Sequence, residues 1–227
     1  MNNSLGFCAL CHNFNWLDDY LCPVCTSALK AVTYKAVSSC SCVSCGAPLF
    51  HADSSCQCNA KGPLVVRVGL YTKEMQEIVV RYKKAHVKLL CFALATLLTD
   101  VLKGYRNLII VPVPCSIPSR RARGWDQMIT IAKTITRTNA YTLGLLLERR
   151  GKGAQKNLSR ASRLTAAPAS YYVKAKQLQI YAQAIDSCDA LVVVDDVMTT
   201  GATLYTCIAK LEQVIHKPIF GLCIAMD

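Results

Sequence analysis

The apolar and polar positions of this 227-residue chain change period along its length, and each change marks an element. Leu64–Tyr71 is a mostly apolar run that reads as a strand, and Lys73–Lys84 repeats its apolar positions every three to four residues, as a helix does. Val87–Leu102 is a strongly apolar helix pattern, Leu108–Val113 reads as a strand, and Trp125–Thr136 as a helix. Further strand patterns lie at Tyr141–Leu147, Ser170–Val173, Ala190–Val194 and Ile219–Ala225, with a helix at Thr203–Ile215 before the last. Strands alternating with helices predict an α/β class and a doubly wound, mostly parallel sheet. The stretch Leu89–Leu102 is too short to span a bilayer and is interrupted by Thr96, Thr99 and Asp100. It is read as a core helix.

The first 60 residues have a different composition. They carry nine of the 14 cysteines and too little apolar material to form a core unaided. Cys8-x-x-Cys11 and Cys22-x-x-Cys25 have the spacing at which each pair turns two thiolates toward one tetrahedral zinc. A second group predicts a second zinc on Cys42, Cys45, Cys56 and Cys58. Cys40 could replace one of these, and the pairs could also interleave across two ions. Disulfides are the competing explanation. Met1–Gly6 has neither the charge nor the apolar run of a secretory signal, so a reducing, cytoplasmic setting and metal binding are expected. Asn59–Pro63 is a plausible junction, which divides the chain into a zinc-binding domain over 1–60 and an α/β domain over 61–227.

Candidate chemistry concentrates at residues 191–205. A β-branched run ends in Asp195-Asp196, followed by Val197, Met198, Thr199, Thr200, Gly201, Ala202 and Thr203. Carboxylates at the end of a parallel strand stand where open α/β sheets bind ligands, and they can accept from neighbouring ribose hydroxyls. The threonines offer hydroxyls, Gly201 allows close approach of backbone to a phosphate, and a following helix N-terminus favours an anion. A Walker B strand also ends in acid, but the phosphate loop that accompanies it (Gly-x-x-x-x-Gly-Lys-Ser/Thr) does not occur in this sequence.

Residues 192–204 resemble the phosphoribosyl-pyrophosphate (PRPP) loop of type I phosphoribosyltransferases. That resemblance implies ribose hydroxyls on Asp195 and Asp196, and a 5′-phosphate in the loop Met198–Thr203. It also implies Mg²⁺ bridging pyrophosphate and ribose oxygens, with the pyrophosphate loop near Val111-Pro112-Val113-Pro114. Arg123-Gly124-Trp125-Asp126-Gln127 resembles an Arg-Gly-Phe-Asn-Gln signature, and Gln155-Lys156-Asn157-Leu158 with Arg163 resembles a Gln-x-x-Leu…Arg element. With the cysteine pairs, these resemble the ComF (ComFC) family of competence proteins across nearly the whole chain. Where family members usually carry an Asn after Arg163, this chain reads Leu164-Thr165-Ala166-Ala167. The resemblance implies a zinc finger fused to a phosphoribosyltransferase domain that handles incoming single-stranded DNA during natural transformation. Expected partners are single-stranded DNA, a helicase or recombination mediator, and an inner-membrane DNA channel. If the domain is catalytic, Asp195, Asp196 and Arg123 are the expected catalytic residues, with Arg120 and Arg121 able to help neutralise the leaving pyrophosphate. Two other readings stay open: a salvage phosphoribosyltransferase for an unidentified base, and a zinc-mediated adaptor.

Charge favours an anionic partner. The formal net charge is +12, and two four-cysteine zinc sites would lower it to roughly +8. Basic residues cluster at Arg81, Lys83, Lys84 and Lys88; at Arg120, Arg121 and Arg123; and at Arg149, Arg150, Lys152, Lys156, Arg160 and Arg163. Such clusters are either solvated surface or a groove for polyanions. Tyr82, Tyr105, Trp125, Tyr171 and Tyr172 would stack on bases only where exposed.

Overall fold

A computed structural model describes residues 6–15, 20–33, 40–41, 48–49, 63–85, 87–150 and 170–226. Cys42, Cys45, Cys56 and Cys58, the Asn59–Pro63 junction up to residue 62, and the segment from Lys152 through Arg163 to Ala167 lie outside the described residues.

A five-stranded, all-parallel sheet organises the chain. Its strands are β3 (Val65–Leu70), β4 (Leu108–Pro112), β5 (Thr142–Leu143), β8 (Ala190–Met198) and β9 (Ile219–Met226), in the spatial order β3-β9-β8-β4-β5. Two small antiparallel pairs stand apart: β1 (Cys40–Ser41) with β2 (Pro48–Leu49), and β6 (Leu147–Arg149) with β7 (Tyr171–Val173). From β4 the chain moves outward to β5, and from β8 it moves outward the other way to β9. The gap between β4 and β8 is therefore the point where the winding reverses, and its carboxyl edge is where such sheets bind ligands.

Both faces of the sheet are covered, so the central strands read as unbroken apolar runs. One face carries Val192 and Val194 and packs against α2 (Lys73–Lys84), α3 (Leu90–Leu102) and α5 (Gln127–Thr138). The other carries Leu191 and Val193 and packs against α8 (Ala202–Glu212). In α2, Met75, Ile78, Val79 and Tyr82 repeat at helical spacing and are buried, and Thr72 Oγ1 caps the first turn by accepting from Met75 N–H at 3.4 Å. Ahead of the sheet, α1 (Pro23–Ala31) places Cys25 and Leu29 in the same buried cluster as α3. Tyr20 stacks on Phe92 with centroids 4.0 Å apart, a second contact between the cysteine segment and the helical layer.

Several boundaries differ from the sequence pattern for local reasons. The apolar helix starts at Leu90 rather than Val87, because Val87–Leu89 form a turn that leads into it. The helix expected from Trp125 starts at Gln127, because the Asp126 carboxylate accepts from Met128 N–H (3.1 Å) and Ile129 N–H (3.2 Å). The Tyr141–Leu147 pattern is split between β5 and β6 at Gly144, where a Cβ would lie 2.5 Å from Ile109 Cγ2. Three short helices fell below the length at which periodicity shows: α4 (Ile117–Arg123), α6 (Ala175–Ile180) and α7 (Ala182–Ser187). Among the described residues, no helix is long and apolar enough to cross a membrane.

Candidate functional site

Two groups of side chains carry chemistry. The first is the cysteine cluster. The Sγ atoms of Cys8, Cys11, Cys22 and Cys25 all lie within 4.8 Å of one another, and those of Cys11 and Cys22 are 3.7 Å apart. A metal–sulfur bond of about 2.3 Å gives a tetrahedron with edges of about 3.8 Å, so four thiolates at this spacing could hold a metal ion. Leu10 N–H donates to Cys8 Sγ at 3.4 Å. Burial raises the Cys8 thiol, but backbone N–H groups of Cys11, Cys22 and Leu10 outweigh it and bring the pKa down to about 7. Burial and the neighbouring thiols push Cys25 well up. Four thiols this close cannot all ionise without a compensating cation, which is the electrostatic case for a metal here.

The second group stands at the carboxyl edge between β4 and β8. Val113 N–H donates to Val194 O at 2.9 Å, so Pro114 begins the loop beside Asp195. Strand β8 does not stop at Val194. It pairs with β9 through Asp195–Cys223, Val197–Ala225 and Met198–Met226, so Asp195 and Asp196 still lie within the strand and face opposite sides. Asp196 consequently points to the α2 side. Its Oδ2 lies 2.6 Å from Lys83 Nζ and accepts a short hydrogen bond from Gln127 Nε2. Both Asp196 and Gln127 are 8% exposed. Asp195 points to the α8 side, where its charge is felt by Tyr171 and Cys207. Burial and the adjacent charge of Asp196 push the Asp195 carboxyl up to about 8, although Asp196 N–H donates to its Oδ1 at 2.9 Å. The adjacent aspartates thus have separate surroundings.

Asp195 and Val197–Leu204 line a cavity of about 220 Å³. Within it, Gly201 adopts φ +73°, and a Cβ there would lie 2.6 Å from the Tyr205 ring, so only glycine fits without strain. Gly201 at the N-cap of the helix that follows has no side chain to cap it, so beyond Ala202 N–H, which Thr200 meets, the first turn has no side-chain cap and suits an anion. Thr200 Oγ1 accepts from Ala202 N–H at 3.3 Å, and Thr203 stands beside the Tyr171 hydroxyl. Met198, Thr199, Thr200, Gly201, Ala202 and Thr203 are therefore brought together with Asp195. Asp196, Pro114 and Arg123 stand outside this lining.

Arg123-Gly124-Trp125-Asp126-Gln127 supports the edge from below. Gly124 closes α4 at φ +74°, Trp125 packs edge-on against Tyr82 at 4.9 Å, and Asp126 Oδ2 accepts from Cys115 N–H at 3.1 Å. Arg123 Nε is buried without a partner, and its guanidinium reaches Cys115. Sequence reasoning missed Lys83 and Gln127 as partners of Asp196, and Arg149 as a neighbour of Asp195. Gln127 lay inside a matched signature and could have been found there; Lys83 looked like one of several surface cations.

The basic clusters prove divided. Arg81 is bound to Glu77 and to the cysteine segment, Lys83 to Asp196, and Lys88 lies 5.7 Å from the Trp125 ring. Arg120 and Arg121 are exposed on α4, and Arg150 stacks over Tyr172 at 5.0 Å. Tyr82 and Tyr171 are buried, whereas Tyr105 and Tyr172 are exposed.

No protein-family model matches the chain, and no curated protein matches it.

Proposed function

We propose that the carboxyl edge binds PRPP with Mg²⁺, on a type I phosphoribosyltransferase-like fold. We further propose that the chain acts as a ComF-type protein, handling incoming single-stranded DNA with a zinc ion on Cys8, Cys11, Cys22 and Cys25. The observation that carries the ligand reading is the cavity lined by Asp195 and the loop to Thr203 at the carboxyl end of β8, with left-handed Gly201 at the start of the following helix. A 5′-phosphate in that loop would take N–H groups of the helix's first turn beyond Ala202 and the Thr199 and Thr200 hydroxyls. Asp195 would meet the ribose hydroxyls or Mg²⁺, and the ion when bound offsets pyrophosphate charge. Arg120 and Arg121 stand exposed on α4 after β4, suited to a polyanion that passes the site.

The DNA part of the proposal rests on the ComF resemblance and on those exposed cations. It is tested by the mobility of a single-stranded oligonucleotide, which should be retarded with a steep loss as salt rises, and less so by Arg120→Ala/Arg121→Ala. Absent or salt-insensitive retardation overturns it. PRPP binding without DNA binding would instead favour a salvage transferase. In cells, a chromosomal Asp195→Asn/Asp196→Asn substitution should abolish transformation while DNA import stays normal.

A further inference from the structure

The last turn of α2 places three consecutive side chains on three different parts of the molecule. Arg81 Nη1 donates a short hydrogen bond to Leu10 O and lies 3.3 Å from His12 Nε2, while its Nη2 pairs with Glu77 at 2.7 Å. Tyr82 donates its hydroxyl proton to Gln127 O at 2.8 Å. Lys83 Nζ lies 2.6 Å from Asp196 Oδ2, the oxygen that also accepts from Gln127. Residues two apart on a helix diverge by about 200°, so Arg81 and Lys83 reach opposite ways from one rigid turn.

Leu10 is the key to the first contact. It lies between Cys8 and Cys11; its N–H donates to Cys8 Sγ, and its carbonyl accepts from Arg81. A thiolate held by a metal fixes the direction of that N–H. One residue on, the Leu10 carbonyl is then fixed for Arg81. Within the same small loop, His12 N–H donates to Cys8 O at 3.0 Å and His12 adopts φ +61°, so the turn has little freedom to relax around a displaced Arg81.

We infer that Arg81 and Lys83 are positioning residues through which the metal-holding cysteine cluster sets the geometry of Asp196. The inference rests on the metal reading of the four cysteines and needs no particular ligand at the carboxyl edge. Loss of the metal frees Leu10 and with it Arg81. The last turn of α2 then loosens and Lys83 withdraws from Asp196, leaving that carboxylate to Gln127 at Oδ2 and to Val197 N–H, which donates to Oδ1 at 2.6 Å. The coupling is reciprocal, so disturbing Lys83 also loosens the metal.

A double-mutant cycle tests the inference. The chain has two tryptophans, so Trp16→Phe leaves Trp125, packed on Tyr82, as the sole reporter of this turn. In that background Cys22→Ala, checked by metal analysis, should shift Trp125 emission and speed amide exchange over residues 195–203. The same Cys22→Ala change in an Arg81→Met background should alter neither. Equal responses with and without Arg81, or no response with Arg81 present, overturn the inference. Should Arg81→Met fail to fold, Lys83→Met serves as the second variant: metal release to a chromogenic chelator should quicken about five-fold or more, and an unchanged release rate overturns it. Neither readout uses PRPP, so failure of PRPP binding would count against the proposed function and leave this coupling standing.

Discussion

Cys8, Cys22 and Cys25 share one buried cluster with Val192 and Val194 of the sheet, yet the two regions hold their shape by different means. Strand β8 is fixed by ladders on both sides and by apolar layers on both faces, so its order comes from burial and backbone pairing. The cysteine segment has few ladder contacts among its described residues, chiefly the Phe7–Phe14 and Thr33–Gly69 bridges. Its order comes from four thiols at metal spacing and from contacts to α2 and α3. One region is ordered by its own ladders and layers, and the other rests on four thiols that could hold a metal and on contacts to α2 and α3.

The largest effect is expected at the thiols. Stripping the metal, or Cys22→Ala, should abolish amide protection over residues 8–31 while Leu191–Val194 stay protected in hydrogen exchange. Simultaneous loss in both regions would mean that they are a single cooperative unit. Next in size, Leu98→Ala in the shared cluster should cost about 2–5 kcal/mol in denaturant unfolding, and should weaken metal retention only through that global loss. Gly201→Val should cost about 1–3 kcal/mol, because a side chain at φ +73° is strained and meets Tyr205. The cysteine segment should be untouched by it. Thr72→Ala removes the cap of α2 and should cost about 1 kcal/mol.

A pH series sharpens the electrostatic side. The Asp195 carboxyl is raised to about 8 in the folded chain, against about 4 in an unfolded one. Between those values the folded state binds the extra proton, so stability should fall as pH rises across that window and level off above it. Asp195→Asn should flatten this part of the profile, as measured by melting temperature against pH.

Much of the sheet was legible because β8, β4 and β9 are apolar on both faces and α2 repeats at helical spacing. The cysteine pair spacing was equally legible, since Cys8, Cys11, Cys22 and Cys25 meet as their knuckles suggest. What the pattern hid was the run of β8 beyond Val194. Two charged residues look like the end of an apolar strand, yet pairing with β9 carries it to Met198 and turns Asp195 and Asp196 to opposite faces. The partners of Asp196 were hidden for a related reason. Lys83 and Gln127 are 44 residues apart in sequence and meet only because α2 and α5 pack on the same face. No local period encodes that meeting.

The proposed function makes Asp195 and the loop to Thr203 a site for a magnesium-bound sugar phosphate. Calorimetry with PRPP and Mg²⁺ tests it most directly, because binding a cation at Asp195 must displace its proton. The account predicts saturable heat in the wild type, an affinity that rises from pH 6.5 to pH 8.5 with proton release on binding, and no heat with Asp195→Asn. Equal heats in wild type and Asp195→Asn, or none in either, would contradict it.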